Sequence, residues 1–171
     1  MTTTWIYSAG GPLICAGYPV GLMWSGTGPS STGEGSSDYD RACEVMDYVG
    51  IVPCASSQVL VLGDEPLQSA FVREVAGLAI VRWVACASAN VAELALATIP
   101  ATLPQIEEPK SIMVEADRLV LFDSACSLAD VPQSLEAEIT PGLYEVSTQR
   151  YASPGVFEFL IHRLAGGGVK S

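Results

Sequence analysis

Asp38, Asp40, Asp47, Asp64 and Glu65 are the carboxylates of this 171-residue chain whose crowding could do chemistry, since they fall in two short stretches. Gathered round a divalent cation, they would supply the oxygen ligands of a metal-dependent hydrolase. Their spacing matches no EF-hand loop, and a solvated helix face followed by a turn explains it equally well. Other chemistry finds fewer parts. His162 is the only histidine, in Phe157-Glu158-Phe159-Leu160-Ile161-His162. Alternation there puts Phe157, Phe159 and Ile161 on one face and Glu158, Leu160 and His162 on the other, so a surface histidine is expected. A Ser-His-Asp triad on a G-x-S-x-G elbow has no such motif to use. One histidine cannot complete a zinc site, and Gly33-Glu34-Gly35-Ser36 lacks the Lys-Ser/Thr of a phosphate loop. The sequence carries no enzyme signature, and no catalytic residue, cofactor or metal ligand is assigned.

The same carboxylates can bind without turnover. Trp24 and Tyr39 flank a Gly/Ser-rich loop over 26–36, and large amphipathic rings anchor interfaces. With Asp38, Asp40, Glu44, Asp47, Asp64 and Glu65 they make the candidate interface. One unit-charge pair at about 4 Å is worth roughly 4 kcal/mol before desolvation, at an effective dielectric of about 20. Several such pairs would steer a cationic partner to dock quickly. The net charge of -11 points the same way, and only eight Lys and Arg are present. Nucleic acid is disfavoured, because phosphate binding needs a cationic patch. A basic protein or a metal ion suits this chain better.

The elements that must position these groups are legible in outline. Ser37 can cap a helix while Asp40 reaches back, which is the capping-box spacing. The spacing predicts a helix over 38–49, with Ala42, Val45, Met46 and Val49 as its apolar stripe and Gly50 as its stop. The run Val59-Leu60-Val61-Leu62 is too short for a helix and predicts a buried strand, with Asp64 and Glu65 surfacing where it ends. Trp5-Ile6-Tyr7 and Pro12-Leu13-Ile14-Cys15 read as a hairpin turning at Gly10-Gly11. Further strands are expected near 70–72, 77–85 (carrying Trp83 and the lone Arg82), 111–114, 119–122, 135–139, 144–148 and 156–162. Asn90 is placed to cap a helix over 91–98.

The fold class expected is therefore α+β, mostly β, with one or two short helices. Residues 1–102 and 111–165 form two β-rich halves packed as a sandwich-like core, joined by a linker at 103–110 and followed by a disordered tail at 166–171. The whole is expected to be one compact unit, with Trp5 and Trp83 in its core. An internal echo links the halves. Gln58 to Glu65 (QVLVLGDE) is similar to Arg118 to Ala125 (RLVLFDSA), and Gly77-Leu78 to Gly142-Leu143. Two strands of one pattern also look alike for purely physical reasons, so the echo leaves both duplication and coincidence open.

Met1-Thr2-Thr3-Thr4 lacks the cationic start of a secretory signal, and the most apolar window is interrupted by Arg82. Five cysteines, with no CxxC pair, suggest buried thiols in a reducing cytoplasm rather than a disulfide framework.

Several segments, taken in order, resemble one family. They are W-I-x-S-x-G-G-P-L-I (5–14), W-S-G (24–26), D-Y-D-R-A-C-E-V (38–45), Y-V-G-I-V-P (48–53), V-L-V-L-G-D-E-P-L (59–67) and V-R-W-V (81–84). Weaker pieces follow in L-F-D-S-A (121–125), P-G-L-Y-E-V (141–146) and I-H-R-L (161–164). Together they are similar to the immunity protein 21 family. The resemblance implies a small cytoplasmic protein, typical of actinobacteria, that binds and neutralises the C-terminal domain of a polymorphic toxin and catalyses nothing. An acidic inhibitor of that kind can mask a basic toxin cleft. A metal-dependent hydrolase and a self-assembling structural module remain the alternatives.

Overall fold

In the computed structural model, which describes residues 2–166, two antiparallel five-stranded sheets lie face to face. The first runs in the order β2 (Val49–Cys54), β3 (Ser57–Leu62), β1 (Leu13–Gly17), β7 (Arg118–Asp123), β8 (Ser134–Glu138). The second runs β4 (Ser69–Glu74), β5 (Gly77–Cys86), β10 (Phe157–Gly166), β9 (Gly142–Ser153), β6 (Lys110–Val114). Three short helices complete the described elements: α1 (Tyr18–Gly21), α2 (Asp38–Cys43) and α3 (Ala89–Leu96). The mostly-β expectation holds, and the tail expected to be disordered lies, from residue 167 on, outside the described residues.

Three apolar clusters explain why several strands read as unbroken hydrophobic runs. The central one, including Leu13, Leu60, Leu62, Ile80, Leu121, Val146 and Leu164, draws on the facing sides of both sheets. A second, with Ile14, Val59, Val61, Val120 and Phe122, lies on the outer side of the first sheet, under Trp24 and Ala42. The third packs Val81, Phe159 and Ile161 against Ala92, Ala95 and Leu96 of α3. Strands covered on both faces lose the alternation that a half-solvated sheet imposes.

That double coverage corrects the reading of His162. The residue is fully buried, because its face of β10 looks into the space between the sheets and the opposite face carries Phe159 and Ile161 under α3. Trp5 and Trp83 are half-buried, meeting edge-on with ring centroids 5.2 Å apart beside Phe159.

Other local expectations also change. Trp5-Ile6-Tyr7 does not pair with β1. Ile6 makes a two-bond bridge to Ser69 at the edge of the second sheet (2.9 and 2.8 Å), whereas β1 is central in the first, between β3 and β7. The helix at 38–49 stops at Cys43; Val49 and Gly50 belong to β2, paired to Leu62 and Val61. Met46, expected on a buried stripe, is 83% exposed. The reason is steric: Val45 folds over Gly50 and Gly63, where a Cβ would come within 2.6 and 2.7 Å of its Cγ1, so the chain crosses the sheet end instead of coiling on. The last helix is capped by Ser88, whose side chain accepts from Val91 N–H, rather than by Asn90.

Each sheet takes strands from both sides of the 103–110 segment. That segment lies along β9: Ile106 N–H donates to Thr148 O (3.0 Å) and Arg150 N–H to Pro104 O (3.2 Å). The echoed strands occupy matching places, β3 and β7 flanking β1, and β5 and β9 flanking β10.

Candidate functional site: an acidic rim

The candidate residues separate into three groups. Trp24 and Asp38 are buried, which corrects their expected place at the surface. Trp24 lies in the core of the first sheet's outer face, and its Nε1–H donates to Ser124 O at 2.8 Å. Asp38 is the hub of the Gly/Ser-rich loop. Its Oδ2 accepts from Ser25 N–H and Oγ (2.9 and 3.1 Å), its Oδ1 from Ser31 N–H and Oγ (both 2.9 Å), and Arg41 Nη2 closes the knot at 2.5 Å. Burial opposes the charge on Asp38, but the serine donors outweigh it and hold the carboxyl below its usual range. The knot therefore orders a loop whose composition alone suggests a flexible connector.

Asp40, Glu44, Asp47, Asp64 and Glu65 are exposed. Ser37 and Asp40 form the expected capping box, each side chain accepting the other's backbone N–H. Asp40 and Glu44 are one helical turn apart, about 6 Å, and Glu44 is three residues from Asp47, no more than about 11 Å of extended chain. Asp47 and Asp64 come from different segments yet line one open depression of about 340 Å³ with Met46, Tyr48, Ile106 and Glu107. Tyr39 is half-buried away from this depression, its ring stacked against the backbone at Gly11, where a Cβ would meet the ring at 2.6 Å. Asp47 holds Lys110 at 3.0 Å in an exposed ion pair, and that hydrogen bond raises the lysine's pKa.

Beneath the rim lies a buried polar network that spans both sheets. Arg82, 1% exposed, points inward from β5. Its Nη1 donates to Tyr48 O (3.1 Å), and its Nη2 donates to Gly63 O (2.7 Å) and to Glu65 O. Burial pushes its pKa down to about 10, so it stays charged at neutral pH. Glu107 receives Tyr48 N–H and Val49 N–H (both 3.1 Å) and Thr148 Oγ1–H (2.8 Å). Since that hydroxyl gives its proton to Glu107, His162 Nδ1–H must donate to Thr148 Oγ1, at 3.0 Å, leaving Nε2 without a protein partner. Burial, and then the charge of Arg82, lower the His162 pKa well below the usual value.

Met46, Glu107 and the Arg82–His162 pair were not among the sequence candidates. One signal was available: a single arginine inside the apolar run of β5 has to find buried acceptors. Met46 and Glu107 had none, because their places follow from where two distant segments meet.

Among the described residues, no three His, Cys, Asp or Glu side chains converge as a metal-binding group. No described helix is long and apolar enough to cross a membrane. All five cysteines are free, but only Cys15 and Cys54 are buried as expected; Cys86 and Cys126 are half-buried and Cys43 is exposed, while burial pushes the Cys15 thiol up to about 12.

No curated protein and no solved structure matches this chain. A family model for immunity protein 21 matches residues 4–155, from the strand-bridge at Ile6 to the end of β9 and through every residue of the rim. A match of that extent over this fold places the chain in the immunity protein 21 family, whose members are typically non-enzymatic inhibitors of toxins.

Proposed function

We propose that the protein neutralises its cognate toxin domain by docking the rim formed by Asp47, Asp64 and Glu65, extended by Glu44 and Asp40, onto a basic surface of the toxin. The supporting observation is the exposed Met46 beside Asp47 and Asp64. An adaptable apolar side chain ringed by carboxylates combines a contact that gains by leaving water with charges that steer the approach. Trp24 and Asp38 take no direct part, because their side chains are already engaged inside the protein. The surface masks a toxin site stoichiometrically and breaks no bond.

The test uses the small C-terminal domain of the large secreted protein expected from the gene immediately upstream. Stopped-flow association with that domain should slow as salt rises, since the Debye length falls from about 10 Å at 0.1 M to about 3 Å at 1 M. Reversing Asp47 and Asp64 to Lys should flatten that dependence. An association rate indifferent to ionic strength would falsify the electrostatic reading.

A further inference from the structure

We infer that Arg82 is a positioning residue for the docking rim: from inside the second sheet it fixes the two chain segments, 47–49 and 63–65, that present Asp47, Asp64 and Glu65. The inference rests on reading that rim as the toxin-binding surface. The three carbonyls that Arg82 serves lie outside its own sheet. Tyr48 immediately precedes β2, Gly63 immediately follows β3, and Glu65 lies two residues further on. Gly63 and Glu65 bracket Asp64, so one Nη2 holds the carbonyl on each side of it. Asp64 has φ 63°, in the left-handed region that aspartate tolerates better than most side-chain-bearing residues and that its surroundings here hold in place. The guanidinium is part of those surroundings.

The two segments are also tied to each other, Gly63 N–H donating to Tyr48 O at 3.0 Å. From the opposite side Glu107 takes the N–H groups of Tyr48 and Val49, and is itself held through Thr148 to His162. The Tyr48 residue is thus gripped by its N–H and by its C=O, from side chains anchored on or beside the second sheet. An apolar residue at position 82 would fill the core without the desolvation that a guanidinium suffers. It could not donate to Gly63 O, nor add a second donor to Tyr48 O and Glu65 O, which already accept from Gly63 N–H and Leu67 N–H, and a lysine, lacking the planar fork, could not span the three as the guanidinium does. A rim fixed before contact loses little freedom on binding, and most of that advantage shows as slower dissociation.

The variants that test this are Arg82→Lys, which keeps charge without the fork, and Thr148→Val, which cuts the link between Glu107 and His162 at nearly constant volume. Amide hydrogen exchange in R82K should rise at least about tenfold at Tyr48, Val49 and Gly63, while amides of β1 and β9 keep their protection. With the upstream-encoded toxin domain as probe, R82K should raise the dissociation rate about tenfold and leave the salt dependence of association unchanged. Uniformly faster exchange across both sheets would reduce Arg82 to general support and overturn the inference, as would an unchanged rim. Should R82K not fold, T148V carries the test: exchange at Tyr48 and Val49 must rise about threefold or more, and no change there overturns the positioning network. A loosened rim with unaltered toxin dissociation would reject the rim as the docking surface while leaving the hold of Arg82 on these segments intact.

Discussion

The Asp38 knot and the Arg82 centre both bury a charge, but they differ in how far they reach. Asp38 closes on Ser25, Ser31 and Arg41, within residues 25–41, and orders one loop beside one sheet. Arg82 reaches from β5 to the ends of β2 and β3, and Glu107, Thr148 and His162 extend the same centre to β9 and β10. The first stiffens a local segment, whereas the second sets the relation between two segments distant in sequence. Only the second can decide which carboxylates stand together on the surface. A third cation shows a clamp without a rim. Arg163 makes two bonds to Glu74 (2.7 and 2.8 Å) and reaches the carbonyls of Pro100 and Ala101, fastening the chain after α3 to its own sheet.

The contrast can be broken by substitution, and Arg82→Met should do most. It removes three charge-assisted hydrogen bonds, each worth about 1.5–3 kcal/mol, and strips Gly63 O of its donor, although Tyr48 O keeps Gly63 N–H and Glu65 O keeps Leu67 N–H. A loss of at least about 3 kcal/mol in urea unfolding is expected. Asp38→Asn should lose less, about 2 kcal/mol, because the amide keeps one accepting oxygen but turns donors toward Ser25 or Ser31. Its faster hydrogen exchange should stay within 25–36 and at Ala55, whose N–H donates to Ser31 Oγ. If D38N loosens 47–49 as much as R82M does, the division into local and long-range centres fails.

Titration sharpens the same division, because the two centres lose stability in different pH windows. His162 has a folded pKa below its unfolded value, so below about pH 6.5 the unfolded chain takes up the proton first and stability falls as pH falls. The slope can reach about 1.4 kcal/mol per pH unit, and His162→Gln should flatten it. Asp38 also has a lowered folded pKa, so its contribution is complete above about pH 3.9 and is lost as pH drops through the folded value. D38N should remove this acid limb and keep the one near neutrality. The smallest effect on folding belongs to the rim itself. Asp47→Lys should change stability by less than about 0.5 kcal/mol, because the pair with Lys110 is exposed, while slowing association with the toxin domain.

Much of the architecture was legible because it is local. The Ser37–Asp40 capping box, the strand through Val59–Leu62 and the strand carrying Arg82 follow from side-chain spacing over a few residues. The misreadings share one cause. Met46 is apolar and at helical spacing, but Val45 crossing over Gly50 and Gly63 ended the coil before it could matter. His162 alternates with Phe159 and Ile161, but both faces of β10 are covered, so alternation no longer separates core from solvent. Trp24, beside a polar loop, had Ser124 and the outer core of the first sheet waiting for it, a hundred residues further along the chain.

By itself the sequence determined a mostly β, acidic chain, where most of its strands fall, and its likeness to immunity protein 21, since these depend on composition and short-range pattern. Only the tertiary structure decided that Asp38 serves the interior while Asp47 and Asp64 share a depression with Met46 and Glu107. Exposure and proximity are properties of surfaces brought together by long-range pairing, and no local spacing of residues encodes which segment will cover which.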